Sequence, residues 1–190
     1  MAVARAAARH AEKPVERATA ALSWIADEKV VLVAVAGAWL YCRWARPTPR
    51  ARRLADQMAL NALISAALPH LAKRLVDRER PDRKVVGLVR HGIPRSGKRW
   101  DSFPSGHAVH VGALASALGR ILPPRWRLVL WPSAAGLAAT RLVLLAHYVT
   151  DVAAGLFIGA TIDRVVARRA RSGAAGTGAA TKIPGAGRRR

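Results

Sequence analysis

The sequence predicts an all-α fold, a polytopic membrane bundle of about five transmembrane helices led by an amphipathic helix lying at the interface. Three observations point there. Apolar residues gather in blocks such as Val30 to Cys42 and Leu142 to Ala146, arginines gather between the blocks, and no stretch alternates apolar with polar residues for long enough to suggest a strand. The 190 residues fit one domain, and 52% of them are apolar, slightly above the soluble norm.

From Pro14 to Ala26 the apolar residues Val15, Ala18, Ala21, Leu22 and Ile25 recur at helical spacing among polar ones, which predicts the interfacial helix. Val30 to Trp44 is the first span, with Asp27, Glu28 and Lys29 at its rim. Arg43, Arg46, Arg50, Arg52 and Arg53, broken by Pro47 and Pro49, form a basic loop. The second span runs from Leu54 to Val76, and its embedded Gln57, Asn61 and Pro69 are expected to face other helices. Pro104 to Leu122, Trp126 to Ala146 and Tyr148 to Val166 complete the set. Gly112, Ala113, Ser116 and Gly119 on the third span, and Ala134, Ala135, Ala138 and Ala139 on the fourth, supply small-residue packing faces. Gly173 to Gly187, rich in Ala, Gly and Thr, reads as a disordered tail. The expected division is thus 1–29 interfacial, 30–171 the membrane domain and 172–190 the basic tail.

A net charge of +21 and a pI near 11.9 would ordinarily raise nucleic-acid binding. No nucleic-acid module signature is present, so the arginines read as juxtamembrane anchors facing anionic lipid and as topology determinants. Cys42 is the only cysteine, which excludes an intramolecular disulfide and a cysteine-based metal site. The first residues lack the apolar run of a cleavable signal and are expected to belong to the mature protein. The excess of Arg over Lys and the abundance of Ala suggest GC-rich coding and a bacterial source. Trp24, Trp39, Trp44, Trp100, Trp126 and Trp131 fit interfacial belts.

The order of spans brings three clusters to one surface. In the first, Lys73 and Arg80 are seven apart, two helical turns, so a continuous helix would show both cations on one face. Pro104-Ser105-Gly106-His107 opens the third span, where free amides and the helix dipole favour an anion and Gly106 admits close approach. In the last cluster, Thr140-Arg141 precedes His147 and Asp151, whose spacing of four lets a carboxylate orient an imidazole on a continuous helix. Each cluster alone also fits an ordinary role: snorkelling cations, a capped helix, a packing pair.

Together they resemble the signature of the type-2 phosphatidic acid phosphatase superfamily: Lys, six residues, Arg-Pro; Pro-Ser-Gly-His; then Ser-Arg, five residues, His, three residues, Asp. Every position matches except that Thr140 stands for serine, which keeps the hydroxyl. The resemblance implies a phosphoric monoester or diphosphate hydrolase acting on a lipid phosphate. His147 would attack phosphorus, oriented by Asp151, and His107 would protonate the leaving oxygen and later activate water. Lys73, Arg80, Ser105, Gly106 and Arg141 would hold phosphoryl oxygens, with no metal and no cofactor.

The basic residues without a chemical task lie on the opposite surface. The positive-inside rule therefore puts the site on the extracytoplasmic side of a bacterial plasma membrane. Prenyl diphosphates and glycerophospholipid phosphates both fit as substrates, with specificity expected from the Pro81 to Trp100 loop and the walls of the spans. Two other readings stand beside it: a vanadate-dependent haloperoxidase-like enzyme using the same residues, and a non-catalytic membrane scaffold whose arginine-rich loops recruit anionic lipid. Oligomeric state is not readable from the sequence.

Overall fold

A computed structural model describes residues 13–45, 48–84 and 98–180; the first twelve residues, the middle of the basic loop, most of the expected specificity loop and residues 181–190 lie outside it. The helices are α1 (Lys13–Ile25), α2 (Glu28–Trp44), α3 (Pro49–Ala72), the short α4 (Pro81–Lys84), α5 (Gly106–Ile121), α6 (Arg127–Val143) and α7 (Val149–Ala180), with a 3-10 turn at Pro124–Trp126. No strand occurs among the described residues; Arg78 and Asp101 form one isolated parallel bridge.

Helix starts follow local chemistry. Asp27 caps α2 by accepting from the Lys29 amide at 2.9 Å. Thr48 caps α3, whose first residue is Pro49, and Ser105 caps α5 through the Ala108 amide. Each side chain satisfies an amide that the first turn leaves unpaired.

α5 is the centre of the bundle and packs most extensively on α7, with α6, α3 and α2 around it. A Cβ at Gly155 would lie 2.7 Å from both the Ala108 Cβ and the Ser105 oxygen, and one at Gly159 would collide with the Val109 carbonyl. Only the absence of side chains there lets the two backbones meet. Val109 of α5, fully buried, packs with Ile162 and Val166 of α7.

Three of the polar residues embedded in the helices, Asn61, Arg120 and Asp163, are partnered across the bundle. Arg120 of α5 donates to both carboxylate oxygens of Asp163 on α7, at 2.9 and 2.5 Å, and the Asn61 amide reaches the same carboxylate at 3.4 Å. Asp163 is buried, so this pairing is what makes its charge tolerable. Asn61 thus faces other helices as its depth requires.

Four differences from the sequence expectation stand out. Among the described residues no helix is long and apolar enough to cross a membrane. α2 and α6 have 17 residues and α5 has 16, short of the ~20 that a crossing takes. α3 and α7 are longer but carry charges, including Arg50, Arg52, Arg53 and Asp56 on one and Asp151, Asp163 and Arg164 on the other. Second, α3 stops at Ala72, so Lys73 and Arg80 do not share a helix face. Third, α7 begins after His147, so His147 and Asp151 do not sit on one continuous helix. Fourth, α7 runs on to Ala180, beyond the point where small residues were expected to end the helix.

Candidate active site

The three clusters converge at one end of the bundle, where α3 and α6 end and α5 and α7 begin. After α3, residues 78–80 run beside residues 99–102: the Arg78 amide donates to the Trp100 oxygen at 3.2 Å, and the Ser102 amide donates to the Arg78 oxygen at 3.0 Å. This pairing, not a helix face, brings the first cluster to the others. The Lys73 ammonium lies 3.6 Å from Asp101, and Arg80 Nε donates to the same carboxylate at 2.8 Å. Arg80 is buried, and its Nη1 donates to the Ala146 carbonyl at 3.2 Å, next to His147.

His147 occupies the turn between α6 and α7. The turn is fixed by the Ala146 amide donating to the Arg141 oxygen at 3.0 Å and by the Asp82 amide donating to the Leu145 oxygen at 3.0 Å. Leu145 has φ 50°, the left-handed region, at a cost of about 1 kcal/mol or more that the surrounding bonds must offset. His147 Nδ1 is 2.6 Å from the main-chain oxygen of Ser102. A carbonyl only accepts, so Nδ1 carries the proton and Nε2 keeps the lone pair.

Asp151, fully buried, lies 3.9 Å from His147 Nδ1. Its oxygens accept instead from the Ser102 hydroxyl at 2.6 Å, the Tyr148 amide at 2.9 Å and Arg78 Nη1 at 2.5 Å. Asp151 therefore caps α7 and holds Ser102, whose carbonyl in turn holds the imidazole. A direct carboxylate-imidazole bond is expected from the spacing only on a continuous helix. Here His147 lies before the first turn, and the nearest carboxylate oxygen stands 3.9 Å from Nδ1, beyond hydrogen-bond distance.

At the start of α5, Ser105 is buried and its amide donates to the main-chain oxygen of Asp151 at 3.2 Å, joining the second and third clusters. Gly106 follows it, with Pro69 at van der Waals distance from where a Cβ would stand. His107 Nε2 is 3.1 Å from the Ser23 oxygen of α1, and Arg141 Nη1 donates to the Ser23 hydroxyl at 3.0 Å. Arg141 Nε and Tyr148 Oη are buried without a hydrogen-bond partner among the described residues. His110, one turn beyond His107, is buried in a small cavity with Asn61 and Ser65 of α3.

Burial, and then the charges of Arg80, Arg141 and Lys73, hold the His147 imidazole well below its ordinary titration range; the Ser102 carbonyl opposes this without reversing it. The site thus offers a neutral imidazole with a free lone pair in a field of cations. That suits attack on an anionic electrophile.

Sequence reasoning missed Ser23, Arg78, Asp101 and Ser102. Asp101 and Ser102 stand just before Pro104, and Arg78 lies inside the first cluster, so proximity to the motifs was a usable signal. Ser23 carried none.

Comparison with known proteins bears on the family and the fold. The profile described as the PAP2 superfamily matches residues 55–171. A lipid A 1-phosphatase of Rhizobium johnstonii is 39% identical over 106 residues, which is 55% of this chain and 43% of that protein. A decaprenylphosphoryl-5-phosphoribose phosphatase of Mycobacterium tuberculosis is 36% identical over 118 residues, 62% of each chain. The chain thus spans about half the length of the curated relatives it matches. The crystal structure of Aquifex aeolicus LpxE superposes with TM-score 0.66 at 15% identity, covering 87% of this chain and 92% of that one. The transmembrane PAP2 type phosphatidylglycerolphosphate phosphatase from Bacillus subtilis gives 0.62 at 19%, covering 90% and 84%. At such identities the two structures speak for the fold alone.

Proposed function

The chain belongs to the PAP2 superfamily, and from that premise we propose that it is a membrane-bound lipid phosphatase working through a phosphohistidine. One observation carries the reading: His147, its Nδ1 tied to Ser102, keeps its Nε2 lone pair beside Arg80, Arg141 and Lys73.

In the proposed reaction Nε2 of His147 attacks phosphorus while the bond from phosphorus to the lipid's oxygen breaks. His107, entering as the imidazolium, gives that oxygen its Nδ1 proton, then as the neutral ring takes one from the water that cleaves the phosphohistidine and releases phosphate. Asp151 holds the nucleophile through Ser102. Lys73, Arg80, Arg141, Ser105 and the Gly106 amide, at the positive end of α5, stabilise the charge of the transferring group. Transfer of a phosphoryl group depends mainly on positioning and electrostatics, which these residues can supply.

Membrane residence is part of the proposal. Val33, Trp44, Leu128 and Phe157 are 72, 83, 80 and 72% exposed, a hydrophobic exterior suited to hydrocarbon. α1 packs its small polar residues Thr19 and Ser23 inward and leaves Ala18, Ala21 and Leu22 outward, as an interfacial helix would. Basic residues at the far end, such as Arg52, Arg127 and Arg168, favour a cytoplasmic far end and an extracytoplasmic site. The names of the relatives suggest lipid A 1-phosphate and prenyl-linked phosphates as first substrates to try, beside phosphatidate and phosphatidylglycerol phosphate.

Protein purified in detergent, given this panel with chelator present, is expected to release phosphate. A labelled, acid-labile and base-stable phosphoenzyme should form in wild type and be lost in His147→Ala. Release that persists in His147→Ala, or no release from any lipid phosphate, would refute the proposal.

A further inference from the structure

Helix α1 contains no motif residue and precedes the stretch matched by the superfamily profile. Yet Ser23, near its end and only 3% exposed, touches two motif clusters at once. Its hydroxyl accepts from Arg141 Nη1 at 3.0 Å, and its main-chain oxygen lies 3.1 Å from His107 Nε2. We infer that Ser23 is a positioning residue of the active site, setting the His107 tautomer through its carbonyl and the Arg141 guanidinium through its hydroxyl. The inference rests on the proposed phosphatase reading.

The carbonyl can only accept, so His107 carries hydrogen on Nε2 and, when neutral, its lone pair on Nδ1. At His147 the assignment is reversed, because the Ser102 carbonyl takes Nδ1. Two serine carbonyls thus hold two imidazoles in opposite tautomers. One ring keeps Nε2 for attack, and the other keeps Nδ1 for proton transfer.

Arg141 is held on one side only. Nη1 is engaged by Ser23, while the buried Nε has no partner among the described residues and remains for a phosphoryl oxygen. Fixing one edge of a guanidinium aims the other and lowers the ordering cost when the anion binds.

An occluding role, with substrate pushing Ser23 aside, fits the packing poorly. Thr19, Ser23 and Ala26 form a buried stripe at spacings of four and three. Ala26 packs with Val111, Ala115 and Ala134 in the core of the bundle, and α1 lies against α6. Vacating the site would pull that end of α1 out of the core.

The test uses the full chain in detergent micelles, with Ser23→Ala, Ser23→Cys and Ser23→Thr made alone and combined with Arg141→Lys. Losing a hydrogen bond to a charged group should raise KM for the lipid phosphate, and Ki for inorganic phosphate, about tenfold in Ser23→Ala and Ser23→Cys. Ser23→Thr, which keeps the hydroxyl, should restore both to within about threefold of wild type. In the Arg141→Lys background the second substitution should add little, since the partner is already altered. An equal loss in both backgrounds would reduce Ser23 to a packing residue. Lower KM or faster turnover in Ser23→Ala would make it an obstruction. Either result overturns the inference. Failure of the phosphatase reading would be recognised separately, by activity surviving in His147→Ala.

Discussion

The main-chain oxygen of Ser102 lies 2.6 Å from His147 Nδ1, while the nearest Asp151 oxygen is 3.9 Å away and bonded to the Ser102 hydroxyl. The carboxylate therefore orients the imidazole through an intermediate residue. Ser102→Ala keeps the carbonyl and loses only the link to Asp151, so kcat should fall about tenfold with KM little changed. Asp151→Ala strands the Ser102 hydroxyl, the Tyr148 amide and Arg78 at a buried point. It should lower kcat by more than about a hundredfold and cost about 3–5 kcal/mol of stability. Steady-state kinetics with thermal melts on the same preparations check the order of these effects.

The His147 imidazole is buried beside Arg80, Arg141 and Lys73 and titrates well below its ordinary value of about 6.5. Its folded pKa thus lies under its unfolded one, and between the two the unfolded chain binds more protons. Stability should rise with pH through that window and be lost as pH falls below about 6.5. Wild type should lose more melting temperature than His147→Gln between about pH 7 and pH 5. Equal losses in both would show that His147 is not the group responsible.

The three motif clusters were legible in the sequence, and the contacts that bring them together were not. The Pro104 to His107 cluster could be recognised as the anion-favouring start of a helix because that argument uses only neighbouring residues. Lys73 with Arg80, and His147 with Asp151, were paired by helical spacing, which holds only where the helix continues. Here both helices break at the site, and the pairs are joined through Asp101 and Ser102. Ser23 lies 84 residues from His107 and 118 from Arg141. A contact made through tertiary packing leaves no local pattern. The spans, likewise, were read from apolar blocks, but their lengths depended on caps and on charges such as Asp163 that pair across the bundle.

Arg78 was passed over between Lys73 and Arg80, yet its Nη1 bonds both Asp151, at 2.5 Å, and the Thr150 hydroxyl, at 2.8 Å. Its guanidinium also stacks 4.5 Å from the centre of the Tyr148 ring. Arg78→Gln removes the charge facing a buried carboxylate and should reduce kcat/KM about thirtyfold or more. Arg78→Lys keeps the charge but loses the planar stacking, and should recover only part of the activity. Both variants assayed beside Ser102→Ala would show whether Arg78 acts through Asp151, since losses along one chain of contacts combine less than additively.

Gly155 joins the fold to the site. A methyl group there would press on the Ser105 carbonyl and the Ala108 Cβ, each 2.7 Å from the Cβ position, and neither the backbone of α5 nor a fully buried alanine can yield cheaply. Overpacking of this kind costs about 1–3 kcal/mol. Its direction matters more than its size, because the Ser105 amide is bonded to the main-chain oxygen of Asp151 and Ser105 opens the helix proposed to seat the phosphoryl group. Gly155→Ala should therefore lower activity by more than its loss of folded protein explains. Ala117→Gly, also buried on α5 but three turns from that end, removes a methyl and should cost stability while leaving the kinetics of the folded fraction close to wild type. Melting curves, with turnover expressed per folded molecule, separate the two. Equal turnover per folded molecule would mean that the α5–α7 contact supports the bundle without setting the geometry of the site.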